Sequence, residues 1–322
     1  MKQSPFLIIR SNIFQKSNYI IITFKSNMNK NSVYNLEDRG ILYIHGDDVL
    51  EYLQNIITND VNKVSDTNSC FASVLTPQGK YLFDFIIIKY KKGFFIDCEK
   101  SQIDDLFSQL NLYKLRSKVE ILNLSNEFVV AVISKEKFLS FENAKDENGY
   151  TIKFREDPIV LDPRNKELGA RLIINLEKLH LSIKKLALKV ENVEGYYGNS
   201  FKLGIVQNST EKLKNRLFGI ECNFEDLNAL DFKKGCYVGQ ENTARIKLKD
   251  KLSKKLLPIK ILEGSIKIDD QISFNSKEIG KVLIDNNYPF GLIKFKDKDF
   301  DFDKKYTCGS AIIKILRPIW MK

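Results

Sequence analysis

Short runs of hydrophobic residues, separated by turn residues, recur along the chain from Val33 onward, and this spacing predicts a series of β-strands. The predicted strands read ILYIHG, CFASVLT, YLFDFIIIKY, GFFIDC, KVEILNL, EFVVAVIS and ARLIIN. Turns at residues 77–79 and 91–93 join the second, third and fourth of these strands as hairpins. Because the chain has no strand–helix–strand rhythm and no G-x-G-x-x-G motif, we expect an α+β fold of antiparallel sheets with covering helices.

Three stretches have the periodicity of amphipathic helices. Asp47 or Asp48 is expected to cap the first, Ser101 with Asp104 forms a capping-box signature for the second, and the third begins near Leu176. The predicted apolar faces are Val49, Leu50, Leu53, Ile56 and Ile57; Ile103, Leu106, Phe107 and Leu110; and Leu176, Leu179, Ile183 and Leu186.

After Pro258 the strands become shorter and regularly spaced, with Gly, Asn and Asp between them, which predicts a small antiparallel β-barrel. The predicted units are a leader of residues 1–32, a body of residues 33–248 and a barrel of residues 249–322. Within the body we expect two interleaved subdomains, residues 33–120 with 176–248, and residues 121–175.

The chain of 322 residues carries a formal charge of +10, and no apolar run approaches the roughly 20 residues that a membrane-spanning helix needs. The excess is mainly Lys, scattered through the sequence, so a dedicated nucleic-acid surface is not favoured. One concentration, Lys247 to Lys255, is a candidate anion patch. Residues 1–36 contain basic but no acidic residues, which fits either an organellar transit segment or a start codon placed upstream of Met28.

The chain has 5 cysteines and 2 histidines. An odd number of widely spaced cysteines without a C-x-x-C pair argues against a disulfide framework and for a reducing compartment. It also argues against a zinc or iron–sulfur site built from this chain alone, which needs about four ligands.

The richest chemistry lies in KKGCYVGQENTAR, residues 233 to 245. Gly235 and Gly239 flank Cys236, and QENTAR reads as the start of a helix. A thiol before a helix N-terminus and beside Lys233 and Lys234 is expected to favour the reactive thiolate. The competing interpretation is that Cys236 is a small buried hydrophobic residue and that the glycines serve the turn.

This motif, K-G-C-Y-x-G-Q-E followed by A-R, resembles the signature of the YgfZ family, whose members are folate-binding relatives of the glycine-cleavage aminomethyltransferase and include mitochondrial factors that mature [4Fe-4S] proteins. Four further blocks resemble the family in the same order: LEDRGILYIHGDDVLEYLQNIITNDV, LTPQGKYLFDF, LYKLRSKVEI and DPRNKELGARL. The resemblance implies an aminomethyltransferase-like body around a central folate cavity, followed by a barrel.

The resemblance also implies functional roles. Cys236 and Lys234 would be the reactive residues, with Cys236 as one ligand of a transient iron–sulfur cluster whose other ligands come from a partner. The residues implied to bind tetrahydrofolate or a derivative are Asp60, Asp84, Gln240, Glu241 and Arg245. The implied partners are an A-type iron–sulfur scaffold protein and [4Fe-4S] client enzymes, with an indirect effect on tRNA thio-modification. Ser200 stands where the family often has Arg, which puts one folate contact in question.

Two other functions remain open. A true aminomethyltransferase would share the fold, but such enzymes tend to carry an acidic pair where this chain has Phe83 and the single carboxylate of Asp84. A tRNA-binding module would use the Lys247 to Lys255 stretch, which lacks an evident aromatic stacking platform. The expected location is the bacterial cytoplasm, or the mitochondrial matrix if residues 1–32 are a transit segment.

Overall fold

The computed structural model describes residues 28–249 and 251–321, so most of the predicted leader lies outside the described residues. The strands of the body are β1 (Ser32–Leu36), β2 (Arg39–His45), β3 (Cys70–Leu75), β4 (Tyr81–Tyr90), β5 (Gly93–Glu99), β6 (Glu120–Asn123), β7 (Phe128–Ile133), β8 (Thr151–Phe154), β9 (Asp157–Leu161), β10 (Ala170–Asn175) and β11 (Lys189–Val190). The helices are α1 (Val49–Ile56), α2 (Ile103–Lys114), α3 (Lys135–Phe138), α4 (Leu176–Lys185), α5 (Glu194–Lys202) and α6 (Gln240–Leu248).

The first sheet of the body has five strands in the order β3-β4-β5-β2-β6, and every pair is antiparallel. The predicted hairpins are confirmed, with Cys70 paired to Ile87 and Tyr90 to Gly93. Strand β5 is buried along its whole length, as expected for an apolar run in the middle of a sheet.

The second sheet has six strands in the order β11-β1-β7-β10-β9-β8. Strands β1 and β11 pair in parallel, and the other pairs are antiparallel. Strand β1 therefore belongs to the second sheet, with the strands of residues 128–175, and β6 belongs to the first sheet, beside β2. The chain thus passes between the two sheets more often than the predicted subdomains imply.

The C-terminal region forms a closed barrel of six strands in the order β12-β15-β14-β13-β16-β17, which confirms the predicted barrel. Its strands are β12 (Lys255–Glu263), β13 (Gln271–Phe274), β14 (Lys277–Ile284), β15 (Phe290–Ile293), β16 (Tyr306–Cys308) and β17 (Ala311–Ile315). The barrel has its own apolar core, which includes Cys308 and Ile313. Closure removes the free strand edges that would otherwise favour aggregation.

The helices depart from the predicted detail at their starts. Asp48 precedes α1 but does not cap it, because its carboxylate accepts the backbone N–H of Lys118 at 2.7 Å. Leu50, predicted to be on the buried face, is 46% exposed, and Tyr52 takes the buried position. The capping-box prediction for α2 is wrong, since Ser101 Oγ donates to Glu99 at 3.1 Å and Gln102 occupies the cap position.

A buried ionic network joins the two sheets of the body. Asp97 on β5 accepts from Arg39 Nε on β2 at 2.7 Å and from Arg171 Nη1 on β10 at 2.8 Å. Arg171 also donates from Nε to Asp162 at 3.1 Å, and Asp162 receives both Nε and Nη2 of Arg164. All five side chains are buried, so each charge depends on its neighbours for compensation.

No helix within residues 28–249 and 251–321 combines the length and apolar character needed to cross a membrane.

Candidate functional site

The loop that carries the cysteine motif is fastened at both ends to α1 and the turn that follows it. Before the thiol, the backbone N–H of Asp231 donates to Thr58 O at 3.1 Å. After the thiol, the backbone N–H of Val238 donates to Asn55 O at 3.1 Å. Cys236 lies between these two points of attachment, so the loop presents it from a fixed base.

Lys234 provides a third attachment. Its ammonium donates to the carbonyl oxygens of Gln54, Ile57 and Asn59, at 2.8, 2.5 and 2.8 Å. These carbonyls lie at and just beyond the C-terminus of α1, where backbone acceptors lack helical partners. Burial lowers the pKa of Lys234 to about 8, and the nearby carboxylates of Asp60 and Asp231 oppose that shift.

This geometry changes the role predicted for Lys234. A lysine ammonium has three N–H donors, and each of the three has a backbone acceptor here. The residue therefore positions the loop on α1 and has no free donor for a reaction at the thiol. Lys233, in contrast, is exposed, and within the described part of the chain only its backbone N–H makes a hydrogen bond, to Asp231.

Cys236 is exposed, whereas the other four cysteines of the chain are buried. Burial raises the pKa of Cys70 and of Cys98 to about 12, that of Cys308 to about 11, and that of Cys222 well above its usual value. A buried thiol in these surroundings is protonated and inert at neutral pH. The exposed position of Cys236 agrees with the reactive-thiol interpretation and excludes the buried one.

The two glycines of the motif differ in what the fold requires of them. Gly239 has φ +84°, and a Cβ there would lie 2.4 Å from Thr76 O, so only glycine fits this turn against the β3–β4 hairpin. At Gly235, no heavy atom lies within 4 Å of the position that a Cβ would occupy, and the backbone is outside the left-handed region. Neither neighbours nor backbone geometry require glycine at position 235.

Helix α6 begins directly after this turn, as predicted, and packs beside the β3–β4 hairpin through the hydrogen bond from Asn242 Nδ2 to Gln78 O at 2.8 Å. Glu241 and Arg245 are exposed on it, and Gln240 is half-buried at its first position. An open groove of about 650 Å³ follows the helix outward from Tyr237.

The central cavity of the body is distinct from the groove beside α6 and shares none of its lining residues. It is lined by Phe71, Tyr81, Asp84, Arg164, Gly204, Ile205, Val206, Leu213, Cys222, Asn223, Phe224, Leu227 and Leu256. Tyr81 donates its hydroxyl to Asp84 at 3.0 Å, and burial raises the pKa of the Asp84 carboxyl, opposed by Arg39 and Arg164. The volume is about 20 Å³.

This cavity does not fit a folate. Its polar groups suit the edge of a pterin, since Asp84 and Arg164 line it and the buried Oδ1 of Asn223 has no hydrogen-bond partner among the described residues. Its volume, however, admits about one water molecule, whereas small-molecule sites span about 300–1,000 Å³. The chain's own aromatic and aliphatic side chains fill the space.

Ser200 contributes to the closed arrangement. Its hydroxyl donates to Ile205 O at 2.7 Å and accepts from Gln207 Nε2 at 2.8 Å, and Gln207 Oε1 in turn accepts from Arg171 at 3.2 Å. An arginine at this buried position would add a cation to the three guanidiniums already present. The short side chain instead allows Gln207 to complete the network.

Of the five residues expected to bind folate, only Asp84 reaches the central cavity. Asp60 caps a 3₁₀ turn, where its carboxylate accepts from Asn62 N at 3.1 Å. Gln240, Glu241 and Arg245 line the outer groove, because α6 lies on the outside of the β3–β4 hairpin. The sequence motif thus places these three residues at a surface groove, away from the central cavity.

The buried network is the feature that the sequence patterns do not predict. Asp162, Arg164 and Arg171 belong to the block DPRNKELGARL, whose resemblance to the family assigns no roles to its residues. The sequence does contain a signal for this network. Arg is scarce in this Lys-rich chain, and a charged residue inside an apolar strand pattern, such as Arg171 in ARLIIN, must find a buried partner.

A solved structure shows which fold the chain has. The chain has the fold of a glycine cleavage system aminomethyltransferase: the crystal structure of aminomethyltransferase T from Bartonella henselae matches it with a TM-score of 0.71 over 90% of this chain and 86% of that one, at 11% identity. The predicted fold class is thereby confirmed.

Sequence comparison gives a more particular likeness. The mitochondrial iron–sulfur cluster assembly factor IBA57 homolog of Dictyostelium discoideum is 28% identical over 277 residues, which cover 76% of this chain and 67% of that protein. The homolog of Neurospora crassa is 29% identical over 237 residues, 69% of this chain and 52% of that protein. The mouse factor is 25% identical over 249 residues, 72% of this chain and 67% of that protein.

The matched region thus spans about two thirds of the Dictyostelium and mouse proteins and about half of the Neurospora one. No family model matches the chain.

Proposed function

We propose that this protein is an accessory factor in iron–sulfur cluster assembly, in which Cys236 is a transient cluster ligand. The observation that carries the proposal is the single exposed cysteine, held on a loop with three attachments to α1 and the turn that follows it. The likeness to mitochondrial iron–sulfur cluster assembly factors also supports a role in cluster assembly.

One thiolate cannot hold a cluster. The described residues contain no group of three or more His, Cys, Asp and Glu that could bind a metal ion. The remaining ligands must therefore come from a second protein, for which an A-type iron–sulfur scaffold protein is our proposal, with [4Fe-4S] enzymes as the eventual clients. An effect on tRNA thio-modification would follow indirectly through such clients.

The chemical step is ligand exchange. Cys236 loses its thiol proton to solvent, its sulfur forms a bond to a cluster iron, and that iron releases one ligand to the partner or to solvent. No electron is transferred in this step. The cluster is cargo, and the loop holds the sulfur at the surface where a partner can reach it.

The proposal contains no folate step, because the central cavity has no room for the cofactor. The sequence resemblance predicts that tetrahydrofolate binds, whereas the size of the central cavity argues against binding there. The aminomethyltransferase alternative loses support for the same reason, since its substrate would have to reach Asp84 inside a cavity of about 20 Å³.

The mitochondrial matrix is the location that we propose, since the relatives carry mitochondrial names. The bacterial cytoplasm has no such support.

The test is complementation of cells that lack their own factor of this kind, scored by the activity of [4Fe-4S] enzymes. The full chain should restore activity, and Cys236→Ser should not, although its unfolding temperature stays that of the wild type. In parallel, purified protein is mixed with a cluster-loaded A-type scaffold, and the thiolate-to-iron absorption is compared for the two variants. Full rescue by Cys236→Ser, or spectra that do not depend on Cys236, would remove the proposal.

A further inference from the structure

The groove beside α6 is lined mainly by residues that follow the exposed Cys236 in the chain. Tyr237, which follows Cys236 in the chain, lines its near end, and Leu248 and Lys249 line its far end. Pro77 and Ala244 also line the groove, so much of its floor is apolar. We refer to this surface as the α6 groove.

The far end of the α6 groove exposes a leucine that the fold does not use. Leu248 is 86% exposed, although it belongs to the last turn of α6. A single exposed leucine is ordinary on a protein surface. Here it lines a groove of about 650 Å³ that is also lined by Tyr237, the residue next to Cys236 in the chain, so its side chain is available for contact with another molecule.

The cations Arg245 and Lys249 of the groove have no acidic partner among residues 28–249 and 251–321. Arg245 donates from Nη2 only to the neutral Asn242, at 2.8 Å, and Lys249 makes no ion pair among the described residues. Lys247, by contrast, is paired with Glu225 on the other side of the helix. Glu241 is the one acidic side chain that lines the groove, so its side chains sum to a positive charge.

The open space around Gly235, beside Cys236, is an independent observation. The fold places no atom within 4 Å of where its side chain would begin, and its φ is not in the left-handed region. A residue with a side chain would fit there without strain. The glycine therefore leaves bare backbone beside Cys236, which lets another molecule approach the thiol closely.

We propose that the Gly235–Cys236 edge and the α6 groove form one docking face for an acidic, partly apolar segment of the protein that supplies the remaining cluster ligands. Apolar groups of that segment would pack on Ala244 and Leu248, its carboxylates would meet Arg245 and Lys249, and its backbone would pass over Gly235. This inference rests on the proposed function, since it assigns the surface through which that function's partner binds.

A protein segment fits this surface better than RNA does. Bases of single-stranded RNA stack on exposed aromatic rings. The one aromatic residue that lines the groove, Tyr237, is only 8% exposed, whereas the exposed apolar residue is a leucine.

The experiment measures the affinity of the full chain for a purified, cluster-loaded A-type scaffold protein at low and at high salt. Arg245→Glu with Lys249→Glu should weaken binding roughly tenfold at low salt, and the difference should shrink at high salt because screening removes it. Leu248→Ser should weaken binding several-fold at both salt concentrations. Gly235→Val should weaken binding while leaving the rate of Cys236 alkylation in the free protein unchanged.

Control variants change comparable residues elsewhere. Lys260→Glu with Lys305→Glu reverses two exposed lysines of the barrel region, and Gly198→Ala adds a methyl group on α5, where the nearest atom lies 3.8 Å away. Both controls should bind as the wild type does.

The outcomes separate this inference from the proposed function. If the wild type binds the scaffold and shares its cluster, but the groove variants bind like the controls, the docking face is wrong and the proposed function stands. If the wild type does not bind the scaffold at all, both fail. If a tRNA transcript binds more tightly than the scaffold and the groove variants abolish that binding, the surface serves RNA and the inference is overturned.

Discussion

The Lys234 ammonium donates a hydrogen bond to the carbonyl oxygen of Gln54 at 2.8 Å, which joins the cysteine motif to a helix 180 residues earlier in the chain. The same ammonium reaches the carbonyls of Ile57 and Asn59. One side chain thus satisfies the acceptors at the end of α1 and sets the path of the loop that presents Cys236.

Replacing Lys234 should therefore cost stability. Lys234→Met keeps the apolar stem but removes the three donors, and we expect the free energy of unfolding to fall by about 2–3 kcal/mol because partly buried carbonyls lose their partners. Urea denaturation measures the change. Lys233→Met is the matched control, since Lys233 is exposed and its side chain has no hydrogen bond in the described structure. Equal stability of the two variants would contradict this role for Lys234.

The elements that the sequence predicts well are those with local signals. The β3–β4–β5 hairpins are predictable because the turn residues and the alternation lie in one continuous stretch. Helix α5 is not predicted, because Gly195 and Gly198 lower its helical propensity and its buried face consists of Tyr196, Tyr197 and small polar residues.

Within the site, the sequence predicts an exposed thiol but not its surroundings. Proximity in the chain favours Lys234 at the thiol, since the two residues lie two positions apart. Three carbonyls from residues 54–59 attract the ammonium instead, a contact visible only in the folded chain. The burial of Tyr52 in place of the predicted Leu50 has a similar reason. Both side chains are hydrophobic, and only tertiary packing selects which one is buried.

The cysteines should differ widely in reactivity. Cys236 should react with iodoacetamide at least tenfold faster than Cys70, Cys98, Cys222 or Cys308 in the native protein, because burial raises the pKa of those four thiols. Mass spectrometry after short labelling times gives the order, and the same measurement in denaturant should abolish the differences. A buried cysteine that reacts first would refute the reactive-thiol interpretation.

Tetrahydrofolate should not bind to the wild-type protein. The cavity of about 20 Å³ admits a water molecule, and opening it would separate packed side chains such as Phe71 and Phe224, whose ring centroids lie 5.8 Å apart. Isothermal titration calorimetry with millimolar ligand should therefore give no binding heat, and thermal unfolding should not shift. A saturable heat signal would restore the cofactor predicted from the sequence resemblance.

The buried network should make the protein sensitive to acid. Although burial opposes it, the Arg164 guanidinium lowers the pKa of Asp162 to about 2, below the value of about 3.9 in an unfolded chain. At a pH between these two pKa values, the unfolded chain binds more protons than the folded chain does. Ionised Asp162 therefore adds roughly 2 kcal/mol to the free energy of unfolding above about pH 4, and this contribution is lost as the pH falls toward 2.

Asp162→Asn tests this assignment. The substitution leaves Arg164 and Arg171 without one shared carboxylate, so the free energy of unfolding at neutral pH should fall by about 3–5 kcal/mol, and the slope between pH 4 and 2 should flatten. Asp303→Asn is the control, because the side chain of Asp303 is 96% exposed. Urea titrations across that pH range measure both effects, and an unchanged slope would place the acid sensitivity elsewhere.

The barrel should contribute stability and not chemistry. Trp320 Nε1 donates to Leu203 O at 2.8 Å, and the indole packs against Gly204, so this residue attaches the C-terminal region to the body. Trp320→Ala should lower the free energy of unfolding by about 2–3 kcal/mol, whereas Ile319→Ala, at a neighbouring residue that is 47% exposed, should have little effect. Iodoacetamide labelling of the folded fraction should find Cys236 equally reactive in both variants, since the backbone and Lys234 hydrogen bonds that hold the 231–239 loop in the described structure come from residues 54–59 and not from the barrel. A folded Trp320→Ala protein with an inert Cys236 would show that the barrel takes part in shaping the site.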